Sequence, residues 1–215
     1  VAGFCSCSST QDDVKIPYYD EFTYKDLTNM MNSIAIDLSL PIIKSDPVQT
    51  DEPKLLPYIT TAKSNQYTAV YIMTGMYPDK NGLLYNYYTE NNHDYYFEQF
   101  VLCNDDVGNI QQEDITFLLG VSNSYYESDS AGVLAETNEA KQLALFFEDF
   151  TYSEAYTVNV GDSLFHCEIW LKDSEHPYYF YFRDDELLAA QTYSSSDKEI
   201  CYYFTEFNSV PQADR

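Results

Sequence analysis

Basic side chains are scarce in this sequence: 11 Lys and Arg stand against 35 Asp and Glu, a formal net charge of -24. A chain so poor in cations cannot release the counterions that drive binding to a phosphate backbone, which argues against nucleic acid as a partner. The same shortage argues against electrostatic adsorption to anionic lipid head groups. Histidine is scarcer still, with only His93, His166 and His176. No GxSxG, HExxH, P-loop or GxGxxG pattern occurs, so no nucleophile elbow, zinc-protease helix or phosphate cradle is specified. The five cysteines include no CxxC and no Cys/His spacing suited to zinc. No apolar run approaches the roughly 18 residues of a spanning helix.

What is present is aromatic. Twenty-two Tyr, 13 Phe and one Trp make up 17% of the 215 residues, and the tyrosines fall in runs such as Tyr85-Asn86-Tyr87-Tyr88 and Tyr178-Tyr179-Phe180-Tyr181-Phe182. Tyrosine suits a pleated, half-buried surface on which the ring packs and the hydroxyl stays wet. With 45% hydrophobic residues the chain can build a sizeable core in one domain. The excess of acid reads as solubility at a cell exterior.

The first residues run Val1-Ala2-Gly3-Phe4-Cys5-Ser6-Cys7-Ser8-Ser9-Thr10-Gln11-Asp12-Asp13. Small and apolar residues lead to a cysteine, and polar and acidic residues follow at once. Phe4-Cys5-Ser6-Cys7 resembles the end of a bacterial lipoprotein signal, with Ser6 at the small position before the acylated cysteine; Phe4 and Cys5 depart from the commoner residues. Lipidation of Cys7 is expected, and the absence of an initial Met suggests that the charged and hydrophobic parts of a signal lie outside this record. The alternative is a pair of ordinary cysteines in a floppy leader. Processing at Cys7 would leave Cys103, Cys167 and Cys201, so at most one disulfide forms. Cys167 and Cys201 can pair, or all can remain buried thiols.

Periodicity divides the chain into a leader and polar tether, residues 1–20, and one domain, residues 21–215. Phe22, Leu27, Met30, Met31, Ile34 and Leu38 recur at helical spacing, which predicts a helix from Asp20 to Leu40 ended by Pro41. Pro47, Pro53 and Pro57 mark residues 44–57 as loop. From Tyr67 the period becomes two. Strands are expected at 67–76, 83–89 and 95–102, joined by turns at Pro78-Asp79-Lys80-Asn81-Gly82 and Glu90-Asn91-Asn92-His93-Asp94. A short strand is expected at 115–121, a loop at 122–132, and a helix from an N-cap at Thr137 to about Phe150. Four strands then follow, at 163–172, 178–183, 186–193 and 199–207. In the first, Phe165, Cys167, Ile169 and Leu171 share a core face, while His166, Glu168, Trp170 and Lys172 share a mixed one.

This order predicts a mostly antiparallel α+β domain. The stretch Gly161-Asp162-Ser163 through Glu168-Ile169-Trp170, then Tyr178-Tyr179-Phe180-Tyr181-Phe182 and Glu186-Leu187-Leu188-Ala189, resembles the C-terminal meander of LolA/LppX-like bacterial lipoproteins. The resemblance covers residues 60–207 in layout and about 45 residues in pattern. It implies a curved half-barrel sheet of about 7–9 strands with two helices on its concave side, enclosing an apolar cavity for acyl chains or a partner's lipid. The many tyrosines depart from a purely greasy lining.

The search for chemistry yields little. His166 and Glu168 alternate onto one strand face, where they form either a base with its orienting carboxylate or, more commonly, a surface hydrogen bond. His93 and His176 fall in turns. The carboxylate pairs Asp12-Asp13, Asp105-Asp106, Glu113-Asp114 and Asp184-Asp185 are adjacent in turns and point apart, unlike a glycosidase pair. Asn104-Asp105-Asp106-Val107-Gly108 lacks the alternation and closing Glu of a calcium loop. Tyr71, Tyr87, Phe97, Phe147, Trp170, Tyr181 and Tyr203 are candidate ligand-binding residues, although aromatic rows are more often core and cross-strand pairs. The expectation is a monomeric, non-enzymatic lipoprotein of the bacterial cell envelope, outside the cytoplasm, with no cofactor or metal. It binds an apolar ligand or lipidated partner; the alternative is a surface interaction or adhesion module with a filled core.

Overall fold

The computed structural model describes residues 32–64, 67–75, 82–89, 95–104, 110–121, 124–128, 134–137 and 149–209. The strands are β1 (Ile42–Val48), β2 (Tyr67–Thr74), β3 (Gly82–Thr89), β4 (Tyr95–Asn104), β5 (Ile110–Val121), β6 (Ser124–Ser128), β7 (Leu134–Thr137), β8 (Phe150–Val160), β9 (Ser163–Lys172), β10 (His176–Arg183), β11 (Glu186–Tyr193) and β12 (Glu199–Ser209). One helix, α1 (Leu56–Lys63), lies between β1 and β2. All 12 strands join one antiparallel sheet in the order β1-β8-β9-β10-β11-β12-β2-β3-β4-β5-β6-β7. β1 and β7 are its edges, so the sheet is not closed.

The four strands expected after residue 163 form as read, in register as sequential hairpins. Their burial differs from the expectation of one core face and one mixed face. Leu55, Ile59 and Ala62 pack on one face with Trp170, Phe180, Phe182, Leu187 and Phe204. The other face buries Val158, Val160, Phe165, Cys167, Tyr181 and Leu188 beneath Ile36 and Leu38. Around β9 to β11 the sheet is thus the middle of three layers. A strand buried on both sides does not alternate cleanly between polar and apolar positions, which is why Trp170 sits on the supposedly mixed face.

Two bulges adjust those faces. Tyr181 pairs with Ala189 and Phe182 with Leu187, leaving Leu188 extra. Leu188 and Ala189 therefore serve one core while Leu187 and Ala190 serve the other. In β12 the extra residue is Thr205, whose hydroxyl donates to the Val70 carbonyl oxygen at 3.1 Å. An inserted residue shifts the two-residue period by one, so Phe204 and Phe207, three apart, both face α1.

Several expectations are corrected. Of the helix Asp20–Leu40, residues 20–31 lie outside the described residues. Asn32 and Ser33 are helical, but residues 34–37 are irregular and a turn follows. There Leu40 N–H donates to the Asp37 carbonyl oxygen, and the Asp37 carboxylate accepts from Ser39. The loop at 44–57 holds most of β1 and the start of α1. Pro47 is tolerated because β1 is an edge strand, and Pro57 falls at the start of α1, where a missing N–H costs no helical bond. Thr137 ends β7 and Phe150 opens β8; residues 138–148, where the helix is expected, lie outside the described residues. β6 occupies part of the loop expected at 122–132. Glu113 and Asp114 lie in β5, not a turn, and His176 is the first residue of β10.

Gly75 follows β2 at φ +87°, and a Cβ there would overlap the Glu199 carbonyl oxygen. Gly75→Ala is therefore expected to loosen the β2–β12 pairing, read as faster amide exchange in both strands than elsewhere in the sheet.

Candidate functional site

The most connected polar side chain among the described residues is Glu168, in the middle of β9 and 0% exposed. An isolated buried carboxylate is costly, so its partners define why it is there. The backbone N–H of Lys54 donates to Oε1 at 2.5 Å, and that of Leu55 to Oε2 at 3.2 Å. The Trp170 indole N–H donates to Oε2 at 2.9 Å. His166 Nε2 lies 3.2 Å from Oε1.

Lys54 and Leu55 lead into α1, and the N-cap residue Leu55 has no side-chain cap of its own. Glu168 supplies what Leu55 cannot: an anionic acceptor at the positive end of the helix. Burial raises the Glu168 pKa, but hydrogen bonds from His166, Trp170 and the two backbone amides outweigh it and hold the carboxyl below its ordinary value.

A second fastening lies at the β10–β11 turn. Lys54 Nζ bridges to Asp185 Oδ1 at 2.8 Å and donates to the Asp184 carbonyl oxygen. Tyr58 Oη donates to the Asp185 carbonyl oxygen at 3.0 Å and accepts from the Leu187 N–H at 2.9 Å. Asp184, at φ +55°, makes the tight turn. These residues have no local sequence signal, because each bond spans more than 110 positions.

The expected pairing of His166 with Glu168 is present, but the surface setting is not. The carboxylate is sequestered and committed to three further donors, while the imidazole keeps 16% of its side chain exposed. This arrangement fastens a helix. Among the described residues, no group of three or more His, Cys, Asp or Glu side chains is placed to hold a metal ion.

The seven candidate ligand residues divide. Trp170 is 2% exposed and meets Tyr152 edge-on at 5.4 Å. Tyr71 packs into the same cluster, 5.6 Å from Phe204. Tyr181 and Tyr203 belong to the cluster on the opposite face, and the Tyr181 hydroxyl donates to Gln191 Oε1 at 2.8 Å. Burial raises the pKa of both phenols. Tyr87 and Phe97 are register partners, in a row that continues through Ala69 to Phe207. Phe147 and Cys7 lie outside the described residues.

Two concavities lie among the described residues. One, of about 540 Å³, lies between residues 34–40 and the sheet and is lined by Ile34, Ile36, Leu40, Val160, Phe165 and the candidate Tyr203, with Asp37, Thr74 and Ser163. The other, of about 1000 Å³, is an open groove beside α1 bounded by Lys54, Leu56, Tyr58, Asp185 and Phe207.

Cys167 and Cys201 are both buried and both free, which decides between the two expectations for them. Burial pushes the Cys167 thiol up to about 12 and the Cys201 thiol up to about 11. The thiolate is the reactive form, so neither is expected to react with a disulfide reagent at pH 8 until the protein unfolds. Stopped labelling with and without denaturant checks this. Among the described residues, no helix is long and apolar enough to cross a membrane. No family model and no curated protein matches this chain.

Proposed function

We propose that the protein is a non-enzymatic binding module of the bacterial cell envelope, held at a membrane by a lipid on Cys7, which recognises a protein partner on its surface. One observation carries the binding mode: the bulky aromatic residues Trp170 and Tyr181 are spent on packing, 2% and 1% exposed on opposite faces of the sheet. Strands β9 to β11, filled on both faces, leave recognition to the exterior. The tether rests on Phe4-Cys5-Ser6-Cys7 and the polar residues after it. The commitment of Glu168 to helix fastening supports a role without catalysis.

A second reading is favoured by the 540 Å³ concavity, whose lining is apolar at Ile34, Ile36, Leu40, Val160 and Phe165 and includes the candidate Tyr203. In that reading the sheet curves into a LolA/LppX-like half-barrel, a further helix covers it, and an acyl chain or lipidated partner enters beneath residues 34–40.

Native mass spectrometry of the protein released from its own membrane fraction tests both. The surface reading expects an acyl mass on Cys7, lost in Cys7→Ser, and a stoichiometric polypeptide partner without a small apolar adduct. A lipid-sized noncovalent mass on the monomer would favour the second reading, and an unmodified Cys7 would remove the tether.

A further inference from the structure

The sheet face opposite α1 continues past its buried cluster as a stripe of tyrosines and carboxylates. Glu154 and Tyr156 contribute from β8, Tyr179 from β10, Tyr193 from β11 and Glu199 from β12. Glu154 pairs with Ile169, Ile169 with Tyr179, and Tyr179 with Gln191, so these positions cross the strands as one row. Tyr193 pairs with Glu199, and the Gln191 amide donates to the Glu199 carboxylate. The Tyr156 hydroxyl donates to Glu154 Oε2 at 2.6 Å, which turns that ring's edge toward the carboxylate. Tyr193 is 46% exposed.

A cation already sits on this surface. Lys44 of β1 places its ammonium 4.4 Å from the Tyr156 ring centroid and 5.7 Å from that of Tyr179. Ring faces carry partial negative charge and attract an ammonium within about 6 Å. Flanking carboxylates add to the same field. The chain's net charge of -24 makes a second copy a poor occupant, because two such surfaces repel. It also steers positively charged partners toward the protein.

We infer that this stripe is the docking surface for a lysine- or arginine-rich segment of another protein, whose cations take the position that Lys44 holds in the free chain. This rests on the surface-binding reading and names the chemistry of its partner. Lys44 acts as a tethered competitor, filling the aromatic pair until a multivalent basic segment displaces it.

Titration of the full chain with a decalysine peptide at about 0.15 M salt, followed by calorimetry, tests this. The variant Tyr156→Leu/Tyr179→Leu keeps the net charge, so non-specific attraction to an acidic protein is unchanged. About tenfold weaker binding is expected from loss of two cation–ring contacts, with near-ultraviolet circular dichroism showing that the core is intact. Lys44→Gln leaves both rings in place and removes the competitor; it is expected to bind the peptide several-fold more tightly. Equal affinity in wild type and the tyrosine variant, no binding by wild type, or weaker binding in Lys44→Gln would each overturn the inference. So would saturable binding to phosphatidylcholine vesicles, lost in the same tyrosine variant, in place of peptide binding. None of these outcomes touches Cys7 acylation or partner mass, which the membrane-fraction experiment reads separately.

Discussion

Glu168→Ala is expected to destabilise the domain by about 3–5 kcal/mol, enough to unfold many domains of this size. Alanine leaves the Trp170 indole and the amides of Lys54 and Leu55 without their acceptor, and each buried orphan donor costs about 1–3 kcal/mol. Glu168→Gln retains one acceptor but turns an amide toward donors, so a smaller loss of roughly 1–3 kcal/mol is expected. Chemical denaturation at pH 7 measures both.

The pH dependence follows from the depressed carboxyl. A group whose folded pKa lies below its unfolded value contributes stability above the unfolded value, here near 4.5, and loses it as pH falls through the folded value. The gap in stability between wild type and Glu168→Gln is therefore expected to be full at pH 6–7 and to close progressively below about pH 4.5. Taking the difference between the two proteins cancels the contribution of the other carboxylates. A gap that persists unchanged to pH 3 would show that the carboxylate's charge is not what holds α1.

Phe180→Ala carries the second large effect. Phe180 is 0% exposed, meets Phe150 edge-on at 5.4 Å, and pairs in register with Glu168 and Ala190. Truncating a buried phenylalanine costs about 3–5 kcal/mol, as transfer and cavity effects add. The position adds a further test. A cavity beside Glu168 lets water reach the carboxylate, so its bonds to the helix amides are worth less once Phe180 is gone. The double variant Phe180→Ala/Glu168→Gln should lose at least 0.5 kcal/mol less than the sum of the singles, the threshold at which neighbouring sites couple.

These two residues also show what could be read from the sequence. Two-residue alternation places Phe180, Phe182 and the β9 residues on strands correctly, because hairpin strands at 163–209 pair with their sequence neighbours and carry their own turn signals. The antiparallel character of the sheet follows from the same local information. The role of Glu168 does not, since its acceptor function depends on amides more than 110 residues away. Nor could the bulges at Leu188 and Thr205 be seen, because one inserted residue changes which face every later side chain takes. β8 was hidden for a similar reason: its burial breaks after Tyr152, where the register with β9 shifts, and its apolar residues serve different cores on either side of that point. α1 was masked by Pro53 and Pro57, which read as loop residues until a carboxylate from β9 is known to cap the turn between them. Of the proposed ligand residues, the sequence identified aromatic content but not partition. Trp170 and Tyr181 lie on the neighbouring strands β9 and β10, where Trp170 pairs with Tyr178 and Tyr181 with Cys167, and the alternation of the sheet sends them to opposite layers.

The strand order has a consequence for how such a chain must be made. β2 through β7 form one run of neighbours, and β8 through β12 another, each assembled from short hairpins. What joins them is β12 against β2, with Tyr67 opposite Ser209. A chain emerging from its N-terminal end cannot make that seam until β12 has appeared. The first run must wait with one flank open, at risk of pairing with another chain. Long-range pairing of this kind slows folding. β12 is then the strand whose arrival turns two local sheets into a single body.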